Sequence, residues 1–222
     1  MTSHLDVVFL DVGGPIYGDR PYYEALWAAI LEASPTAREE DYWDEFEAAR
    51  AAQAGSFTRR LLARFVDEGR RGAVNRRAHE LWHYPPDSLQ ADARAALEAL
   101  RGRYRLGVLA NQDRWIRETM ARDGLDGYFD VWAVSEEIGA DKPDPAIFRA
   151  ALELAGAPGE RCAMVGDRLD NDMAPARAHG MRTVWLLRGE APTDPTPAQL
   201  AGADAAIRSL EELPEALARL AP

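Results

Sequence analysis

Short, continuous apolar runs recur along this chain at wide intervals. Val7–Leu10, residues 106–109, Val131–Val134, residues 163–165 and residues 183–187 are apolar but for Thr183 at the start of the last, without polar alternation. A strand with one wet face alternates, and a strand covered on both faces does not. The runs therefore predict a parallel sheet with helices on both sides. Helical spacing fills the intervals between them. Residues 91–101 carry Ala95, Leu97 and Leu100, and residues 114–123 carry Ile116 and Met120. Pro145–Ala155 sets Ile147, Ala151 and Leu154 on one face, with Pro145 early, where its missing N–H costs nothing. Residues 172–179 read as a helix with Gly180 as its C-cap. Ala205–Ile207 reads as a short last strand and residues 209–220 as a last helix. Strand and helix in alternation predict a doubly wound α/β core with a parallel sheet.

One segment breaks the alternation. Residues 20–84 contain no strand pattern and read as helices over 22–33, 36–53, 57–68 and 74–83, with apolar faces such as Leu61, Leu62, Phe65 and Val66. Pro85-Pro86 closes the segment. The expected organisation is a core of residues 1–17 and 87–222, with a helical unit of residues 18–86 inserted after the first strand.

Composition narrows the function. A chain of 222 residues can bury a full core, as one domain or one domain with an insertion. The net charge of −11 and pI near 4.9 disfavour nucleic acid and anionic membranes as partners. Cys162 stands alone in an apolar stretch, so it reads as a buried structural thiol. The first residues are too short a run, and lack the basic start, for a signal peptide; no apolar stretch nears the ~20 residues of a membrane helix. The expectation is a cytoplasmic protein, monomeric or homodimeric. Lysine is the unusual residue. Lys142 is the only one, and every other basic residue among the 26 is arginine. In so biased a chain an ordinary surface lysine exchanges freely for arginine. The retained one is expected to act as a compact point charge, which a planar guanidinium does not supply.

The residues that carry chemistry fall at the carboxyl ends of the expected strands, the edge where open α/β sheets bind ligands. Asp11 follows the first strand and precedes Gly13-Gly14, an acid beside a tight turn with exposed N–H groups. Ala110-Asn111 ends the second. Lys142 lies in Asp141-Lys142-Pro143-Asp144-Pro145, a loop stiffened by prolines ahead of a helix. Gly166-Asp167-Arg168-Leu169-Asp170-Asn171-Asp172 follows another strand. Carboxylates this crowded repel one another unless a cation compensates them, and such oxygen ligands suit Mg²⁺.

In this order, and with a helical insertion after the first, these segments resemble the haloacid dehalogenase superfamily of hydrolases, and the resemblance spans the chain. Lys142-Pro143-Asp144-Pro145 with Ile147-Phe148, and Gly166-Asp167 with Asn171-Asp172 and Gly180-Met181, carry it most specifically. The inserted helices look like the C1 cap of subfamily I, and the span between Asn111 and Lys142 leaves no room for the other cap type. The resemblance implies a Rossmann-like core and a phosphatase acting on a small phosphorylated molecule. It implies that Asp11 is the nucleophile, forming an aspartyl-phosphate. Mg²⁺ would bind Asp11, Asp167 and the Gly13 carbonyl. Asp172 would orient the metal's waters or the lysine, and Lys142 would neutralise Asp11 and the phosphate. These roles are chemically coherent, because a carboxylate approaches a phosphate dianion only when cations screen both.

The pattern departs from the superfamily at two positions. Its phosphatases usually carry a second Asp, the general acid and base, where this chain has Gly13, and Ser or Thr where it has Ala110. Asn111 and backbone N–H groups, with Gly13 and Gly14, are the expected phosphate holders. Tyr17, Asp19 and His83 stay open as alternative proton donors. Arg20, Arg59, Arg60, Arg76 and Arg77 are candidates for holding an anionic group. Two rival readings remain: a non-catalytic binder of a phosphorylated ligand or partner protein, and a metal-free dehalogenase-type hydrolase.

Overall fold

The computed structural model describes residues 4–220. Its strands are β1 (Val7–Leu10), β2 (Arg105–Ala110), β3 (Val131–Val134), β4 (Cys162–Gly166), β5 (Arg182–Leu186) and β6 (Ala205–Ile207). They form a 6-stranded sheet in the order β3-β2-β1-β4-β5-β6, and every pairing is parallel. The unbroken apolar runs have the expected cause, since β1 and β4 are buried along their whole length. The connections run to one side of β1 through β2 and to the other through β4. The switch point of this doubly wound fold therefore lies between β1 and β4.

The helical segment follows β1 as α1 (Arg20–Ala33), α2 (Glu39–Ala52), α3 (Phe57–Phe65) and α4 (Glu68–Leu81). The core then continues with α5 (Ala93–Leu100), α6 (Ile116–Arg122), α7 (Ser135–Ile138), α8 (Pro145–Ala155), α9 (Ala174–Ala178), α10 (Pro197–Leu200) and α11 (Leu213–Leu220). One face of the sheet packs on Leu97, Ile116, Met120, Leu213 and Leu217. The other packs on Ile147, Phe148, Ala151, Met173 and Ala176. Cys162 is a free, buried thiol there, and burial pushes it up to about 12, which keeps it protonated and inert.

Helices α1–α4 enclose a separate apolar cluster that includes Tyr23, Leu26, Tyr42, Phe46, Phe57, Leu61 and Val74. Its rings meet edge to face and tilted, as in Tyr23 with Phe46 at 4.4 Å and Trp27 with Tyr42 at 5.1 Å. The Tyr42 hydroxyl is satisfied inside, donating to the Tyr23 carbonyl at 2.8 Å.

Local differences from the expected helices have physical reasons. α4 starts at Glu68 and not at residue 74, running through Gly69 and Gly72. Glycine weakens a helix by about 1 kcal/mol, but Val74 and Ala78 bury into the cluster shared with α1, and that packing prevails. The expected helix over 172–179 divides into a π-helical turn, Leu169–Met173, followed by α9, with Pro175 in its first turn. The turns α7 and α10 are too short to show a periodicity.

Candidate active site

Strand register brings the chemistry together. Leu10, the last residue of β1, pairs with Val108 on β2 and with Val165 on β4, so β2 runs two residues and β4 one residue further, and the residues past the three ends lie side by side in a short stagger. Asp11 is anchored there, its N–H donating to the Val165 carbonyl at 2.9 Å. The turn that follows requires glycine at position 14. Its φ is +78°, and a Cβ there would lie 2.2 Å from Asp167 Oδ2.

Lys142 is the hub. Its Nζ lies 2.8 Å from Asp11 Oδ2 and 2.6 Å from Asp172 Oδ1, and its side chain is 1% exposed. The loop that delivers it is held from both sides. Asn111 accepts the Lys142 N–H at 2.6 Å and donates to its carbonyl at 3.0 Å. Asp144 caps α8 by accepting the Ala146 N–H at 2.8 Å. Asn111 thus spends its side-chain amide on the lysine loop. Ala110 is buried at the end of β2.

Asp172 is fully buried, and both of its oxygens are engaged. Oδ1 takes Lys142, and Oδ2 accepts the Arg168 N–H at 3.1 Å, a bond that the π-helical turn makes possible. Asp167 accepts the Glu190 N–H on Oδ2 at 2.6 Å, and its carbonyl accepts Trp185 Nε1 at 2.9 Å. Asp11, Asp167 and Asp172 each present an oxygen within 4.8 Å of the others.

So many carboxylates around one ammonium shape the electrostatics. Burial is the largest influence on Asp11 and pushes it up to about 7, against the pull of Lys142 and with a further push from Asp172. Asp167 is raised well above the usual carboxylate range by burial first, then by Asp19, Glu190, Asp11 and Asp172. Asp19 is raised by burial and by Glu190, Asp11 and Asp172, and the nearby Gly14 N–H offsets part of this. Burial opposes the charge on Lys142, but Asp11 and Asp172 outweigh it and hold the amine above its ordinary value. The cluster carries more potential negative charge than Lys142 balances. It is therefore suited to a divalent cation with oxygen ligands.

The remaining candidates separate clearly. The Tyr17 hydroxyl points away from this cluster, donating to Asp123 Oδ2 at 2.8 Å while its ring stacks on Tyr84 at 4.7 Å. His83 is exposed, with Nδ1 3.3 Å from the Leu81 carbonyl. Asp19 reaches the cluster. Of the arginines, Arg20 pairs with Glu24 at 2.6 Å, Arg60 with Glu45, and Arg77 with Glu32 at 3.0 Å. Arg59 and Arg76 are exposed.

The arginines at the rim are others. Arg168 binds Asp170 at 2.8 Å, Glu190 at 3.1 Å and the Gly55 carbonyl at 2.7 Å, and stacks over Phe57 at 4.3 Å. Arg50 donates to the Ala191 carbonyl at 2.6 Å. Gln53 donates to the Glu190 carbonyl at 2.7 Å and accepts the Leu169 N–H at 3.0 Å. The Tyr23 hydroxyl donates to the Glu190 carboxylate. Sequence reading passed over Glu190, although it follows the end of β5 on the same edge of the sheet, and that position was the available signal.

Known proteins resemble this chain in sequence and in fold. Residues 5–180 match the family model described as haloacid dehalogenase-like hydrolase. The chain is 35% identical over 197 residues to a phosphoserine phosphatase of Thermus thermophilus, spanning 81% of this chain and 74% of that protein. It is 35% identical over 130 residues to human N-acylneuraminate-9-phosphatase, spanning 54% of this chain and 52% of that one. Among solved structures, the HAD-hydrolase YfnB of Bacillus subtilis, crystallised with magnesium, superposes with a TM-score of 0.71 at 19% identity, over 96% of this chain and 99% of its own.

Proposed function

The chain belongs to the haloacid dehalogenase-like hydrolase family, and on that premise we propose that it is a Mg²⁺-dependent phosphohydrolase of a small phosphorylated metabolite. The observation that carries this reading is the Lys142 bridge between Asp11 and Asp172, set beside Asp167 at the switch point of the sheet. The bridge leaves a nucleophilic carboxylate screened by a cation and held in place by its own N–H anchor.

In this reading Asp11 attacks phosphorus and the leaving alcohol departs, forming an aspartyl-phosphate. Water then cleaves that bond and releases inorganic phosphate. Lys142 offsets the charge that builds up between Asp11 and the phosphoryl oxygens, and Asp172 fixes the ammonium without touching substrate. Asp11 and Asp167, with the Gly13 carbonyl, would hold the ion. Asp172, with both oxygens engaged, would reach it through water. When bound, Mg²⁺ supplies further charge neutralisation at the phosphoryl group. Asn111 serves the phosphate indirectly, by fixing the lysine loop. The helical segment acts as a cap, with Tyr23, Arg50, Gln53 and Gly55 closing over the cleft. Specificity is expected to reside in this cap, whose Tyr23, Arg50 and Gln53 meet the loops after β4 and β5.

The experiment is a phosphate-release screen across a panel of phosphorylated metabolites, with Mg²⁺ and with EDTA. We expect release that EDTA silences and that Asp11→Asn abolishes in a folded protein. Undiminished release by Asp11→Asn would remove the covalent mechanism. Halide release from 2-haloacids in EDTA, without phosphate release, would establish the dehalogenase chemistry instead.

A further inference from the structure

Gly13 stands where a phosphatase of this kind would carry its proton-transferring carboxylate, and its own geometry says what fills the gap. Gly14 needs glycine for its backbone, whereas Gly13 is outside the positive-φ glycines. What excludes a side chain at 13 is space. A Cβ there would lie 2.5 Å from Asp19 Oδ1 and 3.4 Å from the Tyr84 hydroxyl. The volume a residue-13 side chain would enter is already occupied by a carboxylate from elsewhere in the chain.

Asp19 is the N-cap residue of α1, where an aspartate ordinarily accepts a helix N–H. Here its side chain makes no capping bond. It turns instead over the glycine turn. A Cβ on Gly14 would lie 3.2 Å from its Oδ2, and one on Gly189 2.6 Å from it. That Oδ2 is sealed from solvent and has no hydrogen-bond partner among the described residues. A buried acceptor left unpaired is costly, and this one lies beside the acidic cluster, over the same Gly14 and Gly189 positions that Asp167 Oδ2 approaches. The rival donors are committed elsewhere, Tyr17 to Asp123 and His83 at the surface.

We propose that Asp19 is the proton donor and acceptor of this site, supplied from the start of α1 in place of the carboxylate that Gly13 lacks. The proposal rests on the phosphohydrolase reading above. In the first half-reaction an oxygen of Asp11 bonds to phosphorus and the bond from phosphorus to the alkoxy oxygen breaks. The Asp19 proton goes to that oxygen, and a neutral alcohol leaves. In the second, water bonds to phosphorus, the Asp11 bond to phosphorus breaks, and Asp19 takes the water's proton. Asp11 and Asp19 return to their starting states, with one water consumed and one phosphate released. Because Asp19 begins a helix of the capping segment, the proton donor is in place only while α1 holds its present position over the turn.

The test compares leaving groups. Wild type, Asp19→Asn and the relocation variant Gly13→Asp/Asp19→Gly are assayed with Mg²⁺ on an alkyl phosphate cleaved by the wild type and on p-nitrophenyl phosphate. The Mg²⁺-induced rise in melting temperature is measured for each. A placed acid contributes about 10²–10⁴-fold. Asp19→Asn should lose a factor in that range on the alkyl phosphate and far less on p-nitrophenyl phosphate, whose leaving group hardly needs a proton, and should keep its Mg²⁺ shift. The relocation variant should regain part of the alkyl activity, and Gly13→Asp alone should lose activity on both through collision with Asp19. Equal losses on both substrates together with a diminished Mg²⁺ shift would make Asp19 a metal ligand and overturn the proposal. Unchanged alkyl turnover in Asp19→Asn would overturn it while leaving the phosphohydrolase reading intact. Absence of phosphate release by the wild type would overturn both.

Discussion

The sheet edge and the tip of the helical segment are both rich in polar groups, yet they are built in opposite ways. At the sheet edge, Asp11, Lys142, Asp167 and Asp172 converge from the segments after β1, α7 and β4 onto one buried point, and each is fixed by backbone donors or by another member. At the tip, Arg50, Gln53 and Gly55 reach across to carbonyls and N–H groups of the loops after β4 and β5. At the other end of the segment, near its two connections to the core, Tyr17, Trp82, Tyr84 and Trp115 pack ring against ring. Apolar packing thus holds the hinge side and hydrogen bonds hold the tip. Each hydrogen bond contributes only about 0.5–1.5 kcal/mol net, because water replaces it on opening. The difference separates a floor fixed from within from a tip contact whose partners water can replace.

Perturbing the floor should have the largest effect. Asp11→Asn should reduce phosphate release to background while its circular dichroism stays native, because the amide nearly matches the carboxylate in shape. Lys142→Arg should come next. The guanidinium keeps the charge but does not fit between Asp11 and Asp172 in a site that leaves the lysine side chain 1% exposed. Most activity and part of the urea stability should be lost together, and full activity would show that a point charge is not required.

The third effect is a pH dependence of the floor. Asp11 is raised from 3.8 to about 7, so in EDTA its contribution to stability is complete below 3.8 and is lost as pH rises through about 7. Asp167 and Asp19 are raised in the same direction. The metal-free melting temperature should therefore fall between about pH 4 and pH 7. Mg²⁺ should stabilise more strongly at pH 8 than at pH 5, since its ligands must be ionised. A flat metal-free profile would show that the carboxylates are not crowded in solution.

The smallest effect belongs to the tip. Gln53→Ala should lower global stability by about 1 kcal/mol yet speed hydrogen exchange at the Leu169 amide, which donates to Gln53. Exchange at Asp11, whose amide is bonded into β4, should not change. Equal acceleration at both would mean that tip and floor open as one unit.

The sheet was legible because burial on both faces leaves unbroken apolar runs, and the strand ends then point to the residues beside them. Lys142 stood out through composition and Asp167 through its glycine and neighbouring acids. Glu190 and the direction of the Asp19 side chain were not legible. Each depends on which distant segment a loop meets, and no local periodicity records that. Asp19 in particular has the sequence signature of an ordinary helix cap, and the missing capping bond and the unpaired Oδ2 that distinguish it are visible only in the fold. The arginines fail for a related reason. Helical spacing says that Arg60 and Arg77 are polar but not that glutamates wait for them on neighbouring helices.

The burial of Lys142 has a consequence for the chemical reactivity of the whole protein. With no other lysine in the chain, its surface offers acylating reagents and lysine-modifying enzymes no side-chain amine. An amine-directed label that does reach a side chain must enter the site and capture the ammonium free of both carboxylates. Incorporation at Lys142 is then a clock for excursions of the floor itself, read from the one peptide that carries a lysine.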